Sequence, residues 1–123
     1  MRRLNEKEEQ IMQVLWRLER AFVKEIVSEL EAPMPPVTTV SSIVRKLEQE
    51  GFVGHDAFGK TYRYYPAVSK EAYRRAAFQH LMKSYYSSSP EQLLSHFVQE
   101  AQVSYGELEK LLDKIKKREQ QGE

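Results

Sequence analysis

Apolar residues recur along the first part of the chain with a helical period and then shift towards alternation. Ile11, Met12, Leu15, Trp16 and Leu18 share one broad face, which predicts a helix from about Glu6 to Leu18. Asn5 stands at its N-cap and Glu8 at the third helical position, the two halves of a capping box. Glu6, Glu8 and Glu9 put negative charge at the positive end of the helix dipole. Val23, Ile26, Val27 and Leu30 fall at i, i+3, i+4 and i+7 and predict a second, short helix, after which Pro33, Pro35 and Pro36 break the chain. Val40, Ile43, Val44 and Leu47 repeat the period in a third helix, stopped by Gly51. The β-branched residues of Val37-Thr38-Thr39-Val40 disfavour helix and leave its start open.

Past Gly51 the pattern changes. Phe52, Val53 and His55 lead into a turn at Ala57-Phe58-Gly59-Lys60, and Thr61-Tyr62-Arg63-Tyr64-Tyr65 lead out of it to Pro66, which reads as a β-hairpin. Three helices followed by a hairpin is the order of a winged helix-turn-helix. The rest is helical. Ser69 can cap a helix with Tyr73, Ala76, Ala77, His80 and Leu81 on one face. Ser87-Ser88-Ser89 is a break, and Ser89-Pro90-Glu91-Gln92 opens the next helix, with Leu93, Leu94, Phe97, Val98 and Ala101. Ser104 and Glu107 form a second capping box before Leu108, Leu111, Leu112 and Ile115.

Composition narrows the class. Hydrophobic residues make up 41% and charged residues 30% of the 123, ordinary values for a soluble globular protein. The chain has no apolar run long enough to span a bilayer and no signal-peptide core, which predicts no membrane insertion. Cysteine is absent, which excludes disulfides, thiolate metal sites and a cysteine nucleophile and suits a cytoplasmic location. His55, His80 and His96 are scattered without carboxylate partners at ligand spacing, so no metal site and no cofactor is expected. No nucleophile elbow, phosphate loop or catalytic carboxylate pair is present either, and an enzyme is not expected. Net charge is only +1, so bulk charge does not announce a nucleic-acid binder; the placement of charge has to carry that argument.

The third helix supplies it. Its apolar face leaves Thr38, Thr39, Ser41, Ser42, Arg45 and Lys46 on the remaining surface, and no acid occurs between Glu31 and Glu48. Hydroxyls near a helix start can bond phosphates or base edges, and the two cations can reach phosphates or guanine. Lys60 at the hairpin tip, with Arg63 beside it, suits a wing resting on the sugar-phosphate backbone. The plain alternative is an amphipathic helix with a solvated polar face and a lysine that keeps a hairpin soluble.

At these residues the chain resembles the penicillinase repressor (BlaI/MecI) family. Leu4 through Met12 with Val14-Leu15-Trp16 is similar to the family's opening segment. Thr39 through Leu47 followed by Glu50-Gly51 is similar to its recognition helix, and Gly59 through Pro66 to its wing. Ser42, Lys46 and Glu50 depart from the usual Thr, Arg and Lys. The resemblance implies a homodimeric repressor on a palindromic double-stranded operator, controlling β-lactamase-type or stress-response genes. It also implies derepression by a membrane-bound sensor metalloprotease that leads to cleavage in the dimerisation region. The scissile Asn-Phe pair of several members corresponds here to His96-Phe97, which keeps the Phe and not the Asn.

The expected architecture is therefore mainly α, with a winged helix-turn-helix DNA-binding domain over residues 1–66 and a helical dimerisation region over 67–123. Tyr73, Ala77, Leu81, Leu93, Leu94, Phe97, Val98, Leu108, Leu111, Leu112 and Ile115 are the expected dimer face. Two other functions fit the same order of elements: a regulator whose helical half binds a small effector, and a winged helix used only as a protein-interaction module.

Overall fold

A computed structural model describes residues 1–122. Helix α1 runs over Glu6–Leu18, strand β1 over Ala21–Phe22, α2 over Val23–Glu29 and α3 over Val37–Gln49. Strands β2 (Val53–Phe58) and β3 (Thr61–Pro66) follow, then α4 (Lys70–Tyr85), α5 (Pro90–Glu100) and α6 (Tyr105–Gln121). The fold is mainly helical, with a small antiparallel sheet in the arrangement of a winged helix.

Local chemistry sets most of the helix starts. Asn5 Oδ1 accepts from the Glu8 N–H at 2.9 Å while Glu8 Oε1 accepts from the Asn5 N–H at 2.9 Å, closing the expected capping box. Ser69 accepts from the Ala72 N–H, Ser89 from Gln92 and Ser104 from Glu107, so the three later helices also begin where serine caps predict. Helix α3 starts directly after the proline cluster despite its β-branched first turn. Tertiary burial outweighs propensity there, because Val40, Val44 and Leu47 are completely enclosed.

The sheet has one more strand than the hairpin pattern predicts, in the order β1-β3-β2. Ala21 pairs with Tyr64 and Phe22 with Arg63, which ties the α1–α2 connection to the wing. Two residues cannot display an alternation, so only the pairing partner reveals them as a strand. Along the hairpin, His55 lies opposite Tyr64 and Gly54 opposite Tyr65.

The chain divides into two compact units, residues 1–77 and residue 78 onward, with the division inside α4. Unit 1 holds the core, where Ile11, Met12, Leu15, Ile26, Val44 and Leu47 are fully buried. It extends beyond the boundary expected at residue 66 because Val68 and Tyr73 join that core. Trp16 Nε1 donates to the Val68 carbonyl at 2.9 Å, and its ring lies 5.7 Å from that of Tyr73. The Tyr73 hydroxyl accepts from the buried Leu4 N–H at 3.0 Å. Tyr73, expected on the dimer face, is thus a core residue of unit 1; helical spacing shows which residues share a face, not what that face meets.

Unit 2 is different in kind. Among the described residues, none after Tyr73 is buried. Its helices are joined by turns with left-handed backbone at Ser87 (φ 49°), Ser88 (φ 56°) and Gln102 (φ 53°).

Candidate nucleic-acid interface

Helix α3 and the wing meet across an open groove of about 640 Å³. Val37, Ser41 and Arg45 line it from α3, one helical face at i, i+4 and i+8. Lys60, Thr61 and Tyr62 line it from the wing, and Lys24 and Glu25 from the first turn of α2. The floor is apolar, formed by Phe22, Val23 and Tyr64. Lys24, Arg45 and Lys60 face one carboxylate there, and none of the three forms an ion pair among the described residues. Arg45 only leans along its own helix, Nη2 donating to Ser41 Oγ at 3.4 Å. No side chain caps the start of α3 and no acid lies in its first turn, so the positive end of its dipole stays open to an anion.

The wing is held at a set angle to α3 by side chains. His55 on β2 hydrogen-bonds through Nδ1 to the carboxylate of Glu48 in the last turn of α3. The same imidazole stacks on Tyr62, centroids 4.1 Å apart and planes 19° from parallel, and meets Tyr64 edge-on. Burial, with the nearby Glu48 charge, raises the Tyr64 phenol above its ordinary range, so it stays neutral beneath the groove.

The sequence-predicted residues divide on this geometry. Ser41, Arg45 and Lys60 come together in the groove. Thr38, Thr39 and Ser42 are exposed on α3 but do not line it. Lys46 lies on another flank, its Nζ 3.9 Å from Glu8 Oε2 at the start of α1. Arg63 alternates with Tyr62 and Tyr64 along β3 and so points to the opposite face of the sheet. That face carries Arg20, which pairs with Asp56 at 2.5 Å and lies over the Tyr65 ring. Lys24 joins the groove residues from α2, and the sequence marks it only by its place in the first turn of the helix before α3.

The sequence pattern of the penicillinase repressor family matches residues 4–117. The chain belongs to this family. Members of the penicillinase repressor family are regulators of transcription and not enzymes. The chain is also similar, at 20% identity over 110 residues, to the methicillin resistance regulatory protein MecI of Staphylococcus aureus and of Mammaliicoccus sciuri. The match covers 89% of this chain and 89% of each relative.

Two positions at which the chain departs from the family's usual residues have distinct surroundings. Glu50 is the C-cap of α3 and takes two hydrogen bonds from Arg2. His96 sits on α5, where Nδ1 bonds the Tyr86 hydroxyl and Nε2 lies 3.4 Å from Glu100. Its neighbour Phe97 is 41% exposed, and Leu94, Leu111, Leu112 and Ile115 are similarly open. Among the described residues, no helix is long and apolar enough to cross a membrane.

Proposed function

We propose that the protein is a homodimeric repressor that binds a palindromic operator, with α3 as recognition helix and the β2–β3 hairpin as wing. The observation that carries this reading is the groove in which Arg45, Lys60 and Lys24 converge on a single carboxylate, none of the three in an ion pair among the described residues. Phosphates supply those partners, while Ser41 and the exposed Thr38, Thr39 and Ser42 offer hydroxyls to the DNA surface. The DNA-binding domain expected over residues 1–66 then takes in the start of α4 as well, and the helices from residue 78 onward form the dimerisation region.

Dimerisation is supported by the exposed apolar residues of unit 2. Leu81, Leu94, Phe97, Leu111, Leu112 and Ile115 are all at least 36% accessible, a poor state in water for a helical unit with no buried residue among those described. A second copy covers them, and the resulting two-fold axis matches a palindromic site. The regulated genes are of the β-lactamase or stress-response class; the relatives' names tie them to methicillin resistance. Derepression follows when a membrane-bound sensor metalloprotease triggers cleavage at His96-Phe97, which separates α6 and most of the apolar face from the DNA-binding domain.

A mobility-shift titration against the DNA upstream of the protein's own gene, with sedimentation of the same sample, tests the reading. A dimer that shifts that DNA at lower concentration than random duplex is the expected result. A monomer, or equal affinity for both duplexes, overturns it.

A further inference from the structure

We propose that Arg2 is a positioning residue for operator binding, clamping the C-terminal end of α3 to the start of α1 without touching DNA. A basic residue beside a DNA-binding helix ordinarily reads as a phosphate contact. The geometry points elsewhere, because the guanidinium has five N–H donors and all five are taken inside the protein. Nε and Nη2 donate to the two oxygens of Glu50 at 2.5 and 2.8 Å. Nη1 and Nη2 donate to the two oxygens of Glu8 at 3.0 and 2.7 Å, and Nη1 donates also to the Arg3 carbonyl at 3.2 Å. The group lies over the Phe52 ring, 5.5 Å from its centroid.

Both carboxylates belong to structural ends. Glu8 is the buried third residue of α1 and half of its capping box. Glu50 is the C-cap of α3, followed by Gly51 at φ 87° and the buried Phe52 that leads into the wing. One planar fork therefore joins the start of α1 to the point where the recognition helix ends and the wing begins. Charge closes locally as well, since Arg2 and Lys46 face Glu8 and Glu50. Lysine cannot replace the fork: it has one nitrogen and no plane with which to hold two carboxylates bidentately.

The inference rests on the DNA-binding reading, and its test separates the two. Full-length Arg2→Lys, Arg2→Ala and Glu50→Gln would be titrated with operator over a range of salt, at a temperature where each is fully folded. A clamp predicts that all three lose about tenfold in affinity, the scale of one charge-assisted hydrogen bond, with the salt slope unchanged. A phosphate contact predicts the reverse: Arg2→Lys keeps its affinity, Arg2→Ala flattens the slope by about one, and Glu50→Gln binds more tightly for losing a negative charge. That pattern overturns the proposal. Amide exchange provides an arm independent of DNA. Residues 47–52 should exchange about tenfold faster in Arg2→Lys and Glu50→Gln than in the parent. Unchanged exchange rejects the clamp even if the parent binds no operator, whereas a parent that fails to bind while these amides are released refutes only the DNA reading.

Discussion

Similar side chains near α3 have different work, and their partners decide which. Arg45 and Lys60 line the groove with no ion pair among the described residues, Lys46 is drawn towards Glu8, and Arg63 faces away. Arg45→Ala and Lys60→Ala should each weaken operator binding and flatten the dependence of log K on log salt by about one unit. Arg63→Ala should leave both nearly unchanged, and a loss there equal to that of Lys60→Ala would place DNA on the wrong face of the wing. Glu8 gives a pH signature. Hydrogen bonds from Arg2, first, and the Asn5 N–H hold its carboxyl below the ordinary glutamate range despite the opposing effect of burial. The unfolded chain therefore binds the proton more readily. The stabilisation is complete above the ordinary glutamate pKa of about 4.3 and is lost as pH falls through the lower folded value. Glu8→Gln should cost about 1–2 kcal/mol at neutral pH, a figure reduced because Arg2 is partly solvated, and the difference should close in acid. Thermal unfolding of both proteins across pH measures this; a gap that widens in acid contradicts the assignment.

Elements show where local signals suffice and where they do not. Helix α1 is specified by its own cap, charges and apolar stripe, and its ends coincide with the expected Glu6 and Leu18. Strand β1 exists only because β3 offers it hydrogen bonds. The hairpin contains a constraint that no propensity scale carries. Gly54 lies opposite Tyr65, and a Cβ at residue 54 would come within 2.6 Å of the phenol ring. Gly54→Ala should therefore push aside the outer end of the half-buried Tyr65 side chain and destabilise unit 1 by about 1 kcal/mol, the low end of the cost of overpacking. Adding Tyr65→Ala should recover part of the loss, since contacting sites are not additive. Denaturant midpoints of the two single variants and the double variant provide the check, and full additivity would count against the clash.

For the whole molecule the decisive contrast lies between a unit with a core and a unit without one. Residues 1–77 enclose a core of apolar side chains, whereas the helices beyond bury none among the described residues. On the dimer reading, Phe97→Asp or Leu112→Asp places a charge in the shared apolar layer, where an unpaired charge costs several kcal/mol. Sedimentation should then report monomers with the winged helix still folded; intact dimers in both variants would move the interface elsewhere. A chain ending at His96 lacks α6 and should hold one half-site alone, losing about 10²-fold or more in operator affinity as the linked second contact disappears. Retained affinity in that chain would exclude derepression by cutting at this bond.

The sequence by itself determined the helices, their caps, the hairpin and the family, because each is written in neighbouring residues: a period, a capping box, a glycine at a helix end. It also marked Ser41, Arg45 and Lys60, which share a polar flank or a turn tip. Only the tertiary structure decided that Lys46 and Arg63 lie outside the groove, that Lys24 belongs to it, and that Tyr73 is core. It also decided that Arg2 spans 48 residues of sequence to reach Glu50. These depend on which surfaces meet after the chain has turned back on itself, and one-dimensional spacing does not encode that meeting.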